Sequence, residues 1–217
     1  RIETFSDAVF AFAVTLLIVS LEVPRNFGDL LVTVRGFLAF AICFTLLMMV
    51  WYQQHIWFRR YALDDLTTIV LNAMLIFVVL FYVYPLKFLF SLLFGDMIYG
   101  SGRSQFSIRE ADGPLLMVIY GLGYTVIYTI FLLLYVHTLR KKGALKLTPA
   151  EVFDTRTILF SQTTMAAIGL GVVVIALLLP PRISGTAGYF FFAIAPAMSV
   201  LHWRRAVQRK RLIKHDV

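Results

Sequence analysis

Long apolar stretches alternate with short polar segments along the whole chain of 217 residues. Six stretches approach or exceed the roughly 17–25 residues that an α-helix needs to cross a bilayer. None of them carries Asp, Glu, Lys or Arg near its middle. The pattern predicts an all-α membrane protein with six transmembrane helices in a single domain, residues 1–217. The predicted spans are Thr4–Val23, Gly36–Trp57, Leu66–Leu93, Pro114–His137, Thr157–Leu179 and Ala187–Trp203.

The composition supports the membrane class. Hydrophobic residues make up 60% of the chain and the mean hydropathy is +0.82, whereas soluble domains contain about 45–50% apolar residues. The first stretch is too long for the apolar core of a signal peptide, and no small-residue cleavage site follows it. A single cysteine, Cys43, excludes an internal disulfide.

Positive charge is distributed unevenly between the loops. Five of the basic residues outside the predicted spans fall on one side of the membrane and fourteen on the side of both termini. The positive-inside rule therefore places both termini in the cytoplasm. The basic tail follows a span directly, so it can rest on anionic lipid, and nucleic acid is not an expected partner. The fourteen are Arg1, Arg59, Arg60, Arg140, Lys141, Lys142, Lys146, Arg156, Arg204, Arg205, Arg209, Lys210, Arg211 and Lys214.

No motif typical of an enzyme is present. The sequence has no zinc-protease HExxH, no GxSxG nucleophile elbow and no Walker loop. Its four histidines lack the spacing of metal ligands. We therefore expect no catalytic residue, no metal site and no cofactor.

The first predicted helix has two different sides. At about 100° per residue, the side chains of Phe12, Thr15, Leu16 and Val19 fall within an arc of roughly 100°. Ser6 and Asp7 point away from this arc. In most membrane helices such a stripe faces lipid or another helix, and a hydroxyl such as that of Thr15 bonds to a carbonyl one turn earlier.

Ser6 and Asp7 require polar partners at the cytoplasmic end of the helix. His55 lies near the inner end of the second span, and Asn72 lies about 9 Å into the third, at 1.5 Å per residue. We expect Ser6, Asp7, His55 and Asn72 to meet in one layer. Alternatively, Asp7 is only an interfacial charge that the helix dipole stabilises.

The opening segment "RIETFSD", followed by an apolar span, resembles the Arg-x-x-x-Phe-Ser-Asp signature of the transmembrane protein 175 (TMEM175) family of potassium channels. The similarity continues in "GFLAFAICF", "WYQQH" and "LNAMLIFVVLFYVYP". The signature residues are Arg1, Phe5, Ser6 and Asp7. The resemblance implies a bacterial member in the cell (inner) membrane, a homotetramer whose first helix lines a central pore.

The resemblance also implies where the pore narrows. The family's apolar constriction corresponds to Phe12, Leu16 and Val19, and Thr15 matches a threonine found in some bacterial members. Potassium is then the permeant ion and membrane lipid the surrounding partner. Two features depart from the family: Phe12 replaces the usual Ile or Leu, and "QQH" replaces a double His and leaves only His55.

Four other functions remain open at this stage. A secondary transporter would need a midplane ionisable site or broken helices, and a proton pathway would need titratable groups across the bilayer. A membrane-embedded enzyme would need a catalytic set. A non-conducting structural protein is distinguished only by ion flux. The resemblance implies a potassium-selective channel with a hydrophobic gate, and we take this as the expected function.

Overall fold

A computed structural model describes residues 1–19, 25–94 and 109–215 of the chain. The described residues form six α-helices and two 3-10 segments, and no β-strand occurs among them. The predicted all-α fold class is therefore confirmed. The α-helices are α1 (Ile2–Val19), α2 (Phe27–Tyr61), α3 (Leu66–Leu93), α4 (Gly113–Arg140), α5 (Pro149–Leu178) and α6 (Ile194–His215); the 3-10 segments are Glu110–Asp112 and Pro181–Ala193.

Five segments of the described chain are long and apolar enough to cross a membrane, and the protein is a multi-pass membrane protein. They overlap the second to sixth predicted spans. Residues 20–23 of the first predicted span lie outside the described part, and α1 accounts for the rest of it. The five segments are Gly36–Tyr61, Leu66–Leu93, Gly113–Arg140, Pro149–Leu178 and Pro181–Arg209.

Several helices extend beyond the apolar stretches. The third span coincides with α3, but α2 begins nine residues before Gly36 and α5 begins eight residues before Thr157. The early start of α5 follows from a capping box, in which Thr148 Oγ1 accepts from the Glu151 amide and Glu151 accepts from the Thr148 amide. Polar residues can continue a helix outside the membrane, where hydropathy gives no signal.

The sixth predicted span begins as a 3-10 helix and becomes α-helical only at Ile194. In this segment the hydroxyls of Ser184 and Thr186 donate to the carbonyls of Pro181 and Ile183, at 2.9 and 2.6 Å. Each bond connects residues three apart, the spacing of a 3-10 turn. Apolar composition predicted a spanning segment but not this tighter winding.

The chain divides into two compact units, Arg1–Arg109 and Glu110–Val217. In the first unit α1, α2 and α3 all contact one another. In the second, α5 packs closely against α4 and also contacts α6. A Cβ on Gly121 or Gly169 would lie 2.6 or 2.5 Å from a side-chain atom of the facing helix. These two glycines therefore allow α4 and α5 to approach closely, as small residues do in membrane bundles.

Candidate ion pathway and its polar support

One side of α1 is packed against its own unit and the other is not. Ser6, Phe10, Ala13 and Leu17 are at most 4% exposed. Their spacing of three or four residues places them on one face of the helix, which packs against α2 and α3. The opposite face is left uncovered by the described residues of the unit.

This uncovered face carries two of the four residues predicted to form the pathway, Phe12 and Thr15, and a third, Leu16, lies at its edge. Phe12 is 56% exposed, Thr15 is exposed and Leu16 is half-buried at its edge. The backbone of α1 includes Val19, whose side chain lies outside the described part of the structure. The Thr15 hydroxyl donates to the Ala11 carbonyl at 3.0 Å. Its oxygen keeps lone pairs that can accept from water or contact a cation.

The signature residues are divided between the two faces. Phe5 is 64% exposed and lies seven residues before Phe12, so the two rings project from the same side of α1. Arg1 is exposed and precedes the helix. Ser6 is fully buried, and Asp7 is part-buried. The signature residues therefore lie on both the uncovered face and the packed face of α1.

A buried hydrogen-bond chain joins all three helices of the first unit. Asn72 Nδ2 on α3 donates to Ser6 Oγ at 2.8 Å, and Ser6 Oγ donates to the Ile2 carbonyl at 2.9 Å. Gln54 on α2 donates to Asn72 Oδ1. Ser6, Gln54 and Asn72 are each at most 2% exposed. Since a buried polar group is costly unless it is hydrogen-bonded, this chain fixes the packed side of α1.

Asp7 and His55 do not join that chain, so the single layer expected from the sequence is corrected to two clusters. Asp7 Oδ1 accepts a 2.8 Å hydrogen bond from Trp51 Nε1. His55 Nδ1 lies 3.1 Å from Glu3 Oε1, and its ring stacks on that of Trp51 with centroids 5.4 Å apart. The Trp51 bond also gives Asp7 a specific partner beyond the helix dipole.

Three residues of these clusters were missed by the sequence reasoning: Glu3, Trp51 and Gln54. The sequence spacing contained a signal for two of them, Glu3 and Trp51. Glu3 and Asp7 are four residues apart on α1, and Trp51 and His55 are four apart on α2. Residues four apart lie on one face of a helix, so these two pairs can meet residue by residue when the helices are antiparallel. An apolar classification of tryptophan hides the N–H with which Trp51 donates to Asp7.

Comparison with known proteins places the chain in a family. A family model described as the endosomal/lysosomal potassium channel TMEM175 matches residues 1–82, which contain both polar clusters. A protein of Marivirga tractuosa named "Potassium channel" is 40% identical to the chain, covering 99% of the chain and 90% of that protein. The chain belongs to the TMEM175 family. The resemblance expected from the signature is thereby confirmed.

Two further relatives support the same assignment. A crystal structure of a variant of the potassium channel MtTMEM175, bound to a nanobody–MBP fusion, superposes with a TM-score of 0.83 at 38% identity. It covers 95% of this chain and 93% of the channel chain. A potassium channel of Chamaesiphon minutus is 33% identical over 39% of this chain and 46% of its own length. These relatives are named as channels rather than enzymes.

Proposed function

We propose that this TMEM175 family member is a potassium-selective cation channel, and that four copies surround a central pore lined by α1. The observation that carries the proposal is the uncovered face of α1, which presents Phe12 and Thr15 while the opposite face is packed. Cyclic symmetry would repeat that face four times around one axis. The relatives that cover nearly the whole chain support a single channel domain over residues 1–217.

The proposed mechanism is physical and involves no covalent step. Four copies of Phe12, Leu16 and Val19 would form narrow apolar rings, and such rings gate a pore by losing their water. An ion that passes must shed part of its hydration shell. Potassium holds that shell less tightly than sodium because it is larger. Four Thr15 hydroxyls would replace part of the lost shell.

The buried contacts behind α1 would keep the rings in register. Ser6 is held by Asn72, and Asp7 is held by Trp51, on two different neighbouring helices. A pore-lining helix without such support could rotate and carry its apolar face away from the axis. We assign these residues, together with Glu3 and His55, a positioning function and place none of them in the pathway.

The proposed topology has six spans, both termini in the cytoplasm and the protein in the cell (inner) membrane. The excess of basic residues on the side of the termini supports it. A cysteine replacing Ser101 should react with an impermeant reagent added outside intact cells, and one replacing Lys142 should not. The reverse labelling pattern would invert the topology.

Ion flux from reconstituted protein tests the proposed activity. Vesicles loaded with potassium should release it in the presence of the protein, and planar bilayers should show discrete current steps that favour potassium over sodium. A secondary transporter would give saturable flux without current steps. A proton pathway would carry current under a pH gradient with an impermeant cation in place of potassium. Vesicles without protein are the control.

A further inference from the structure

One end of the second unit carries a dense positive charge. At this end α4 finishes at Arg140, α5 begins at Pro149, and the basic part of α6 lies against the first turns of α5. Among the side chains that the structure describes, eight basic ones lie at this end against two acidic ones, Glu151 and Asp154. The eight are Arg140, Lys141, Lys142, Lys146, Arg156, Arg204, Arg205 and Arg209.

Both acidic groups are already engaged locally. Glu151 Oε2 accepts from the amide and the hydroxyl of Thr148, each at 2.8 Å. Asp154 Oδ2 lies 3.1 Å from Arg209 Nη2. Two carboxylates cannot balance eight cations, so this end keeps an excess of positive charge.

Contacts with α5 hold the basic part of α6 in place. The Arg205 guanidinium lies 4.2 Å from the ring centroid of Phe160 and 5.6 Å from that of Phe153. Arg209 is paired with Asp154 one helical turn further on. α6 therefore continues past its apolar part along α5. Arg204, beside these two anchors, stays exposed.

An exposed tryptophan marks the level of the membrane surface. Trp203 is 69% exposed and lies directly before Arg204, near the end of the apolar segment Pro181–Arg209. Tryptophan side chains prefer the headgroup level of a bilayer. The phosphates of the nearest lipids would then lie at the height of Arg204.

We propose that this end of the second unit binds the headgroups of anionic glycerophospholipids. We call four of its exposed cations, Arg140, Lys142, Lys146 and Arg204, the basic end. Basic clusters that directly follow a membrane span attract anionic lipid. The position of Trp203 favours lipid over nucleic acid or an acidic protein, because the surface borders the bilayer itself. The proposal does not depend on channel activity.

Lipid binding to the purified full-length protein in detergent tests the proposal. Native mass spectrometry would compare phosphatidylglycerol with zwitterionic phosphatidylcholine. We expect phosphatidylglycerol to bind preferentially to the wild type. The triple variant Lys142→Gln, Lys146→Gln, Arg204→Gln should lose affinity for it by on the order of 100-fold, since each surface cation contributes roughly fivefold. Equal affinity of the wild type for the two lipids would overturn the proposal.

A matched variant tests whether lipid binding depends on the basic end or only on the net charge of the protein. The control is a second triple variant, which also removes three exposed cations, all of them outside the basic end: Arg25→Gln, Arg109→Gln, Arg182→Gln. It should retain phosphatidylglycerol binding within about threefold, which is less than one surface contact is worth. An equal loss in both triple variants would reduce the effect to net charge and contradict the proposal.

Two further measurements use the wild type alone and do not depend on the folding of a variant. Rising salt should abolish the preference for phosphatidylglycerol, because the screening length falls to about 3 Å at 1 M; a preference unaffected by salt would contradict the proposal. Inorganic phosphate, a DNA oligonucleotide and an acidic peptide should each compete poorly. If any of them displaced the lipid efficiently, that class would replace lipid as the ligand.

Discussion

Asn72 on α3 donates a 2.8 Å hydrogen bond to the hydroxyl of Ser6 on α1, and both side chains are almost completely buried. The bond lies on the packed side of α1, opposite Phe12 and Thr15. It therefore supports α1 from the side opposite the face that we propose contacts ions. Disturbing the support should alter stability and opening without altering the chemistry of the pathway.

A double-mutant cycle measures the bond between Ser6 and Asn72. Ser6→Ala and Asn72→Ala together should be less destabilising than the sum of the two single variants, with a coupling energy on the order of 1 kcal/mol. Unfolding of the purified protein in denaturant gives the free energy of unfolding of each variant. Ser6→Ala combined with Gln208→Ala, an exposed amide on α6, is the control and should be additive. Additivity in the first pair would refute the contact.

Trp51→Phe should weaken the attachment of Asp7. The substitution keeps an aromatic ring against His55 but removes the N–H that donates to the Asp7 carboxylate. Hydrogen bonds to charged groups contribute about 1.5–3 kcal/mol, so the thermal midpoint should fall and the open probability should change. Trp203→Phe, at an exposed position, is the matched control. Equal midpoints for the two variants would contradict this function of Trp51.

The helices of the fold were predictable because hydropathy reports residues that avoid water. The coincidence of α3 with Leu66–Leu93 shows the strength of that signal, and the early starts of α2 and α5 show its limit. The extension of α5 depends on the capping box of Thr148 and Glu151, which lies outside the apolar stretch. The 3-10 segment Pro181–Ala193 depends on local hydroxyl bonds that composition does not report.

The polar support was only partly predictable. The depth of the residues along their helices predicted that Asn72 lies near Ser6. It could not predict the partners of Asp7 and His55. Those partners depend on helix rotation and on rotamers, which place Trp51 beside Asp7 and Glu3 beside His55. The resemblance identifies Gln54 only as a replacement for a family histidine, and that does not indicate that its amide donates to Asn72.

Leu16→Asn should raise the current and weaken the preference for potassium over sodium. A polar amide at an apolar ring keeps water in the constriction, so ions of both kinds would cross without shedding their shells. Single-channel current and the bi-ionic reversal potential are the measurements. Leu170→Asn on α5, at an exposed leucine, is the control and should leave both unchanged. Identical currents from wild type and Leu16→Asn would exclude a barrier at this ring.

Thr15→Val should lower the preference for potassium without closing the pore. Valine keeps the shape of threonine and removes the oxygen that would replace part of the hydration shell. The reversal potential should shift toward that of an unselective pore. Thr163→Val on α5 is a close control, since Thr163 is exposed and its hydroxyl bonds one turn back, at 2.9 Å. A shift of the same size in the control would remove Thr15 from the selectivity mechanism.

The central claim is that the uncovered face of α1 lines the potassium pathway. Block by silver ions tests it most directly, because silver is a monovalent cation that binds thiolates. The measurement uses Thr15→Cys in a Cys43→Ala background, with Thr163→Cys in the same background as control. We expect silver to abolish the potassium current of the Thr15→Cys protein and to leave the control unaffected. A silver-resistant current through the Thr15→Cys protein would contradict the claim.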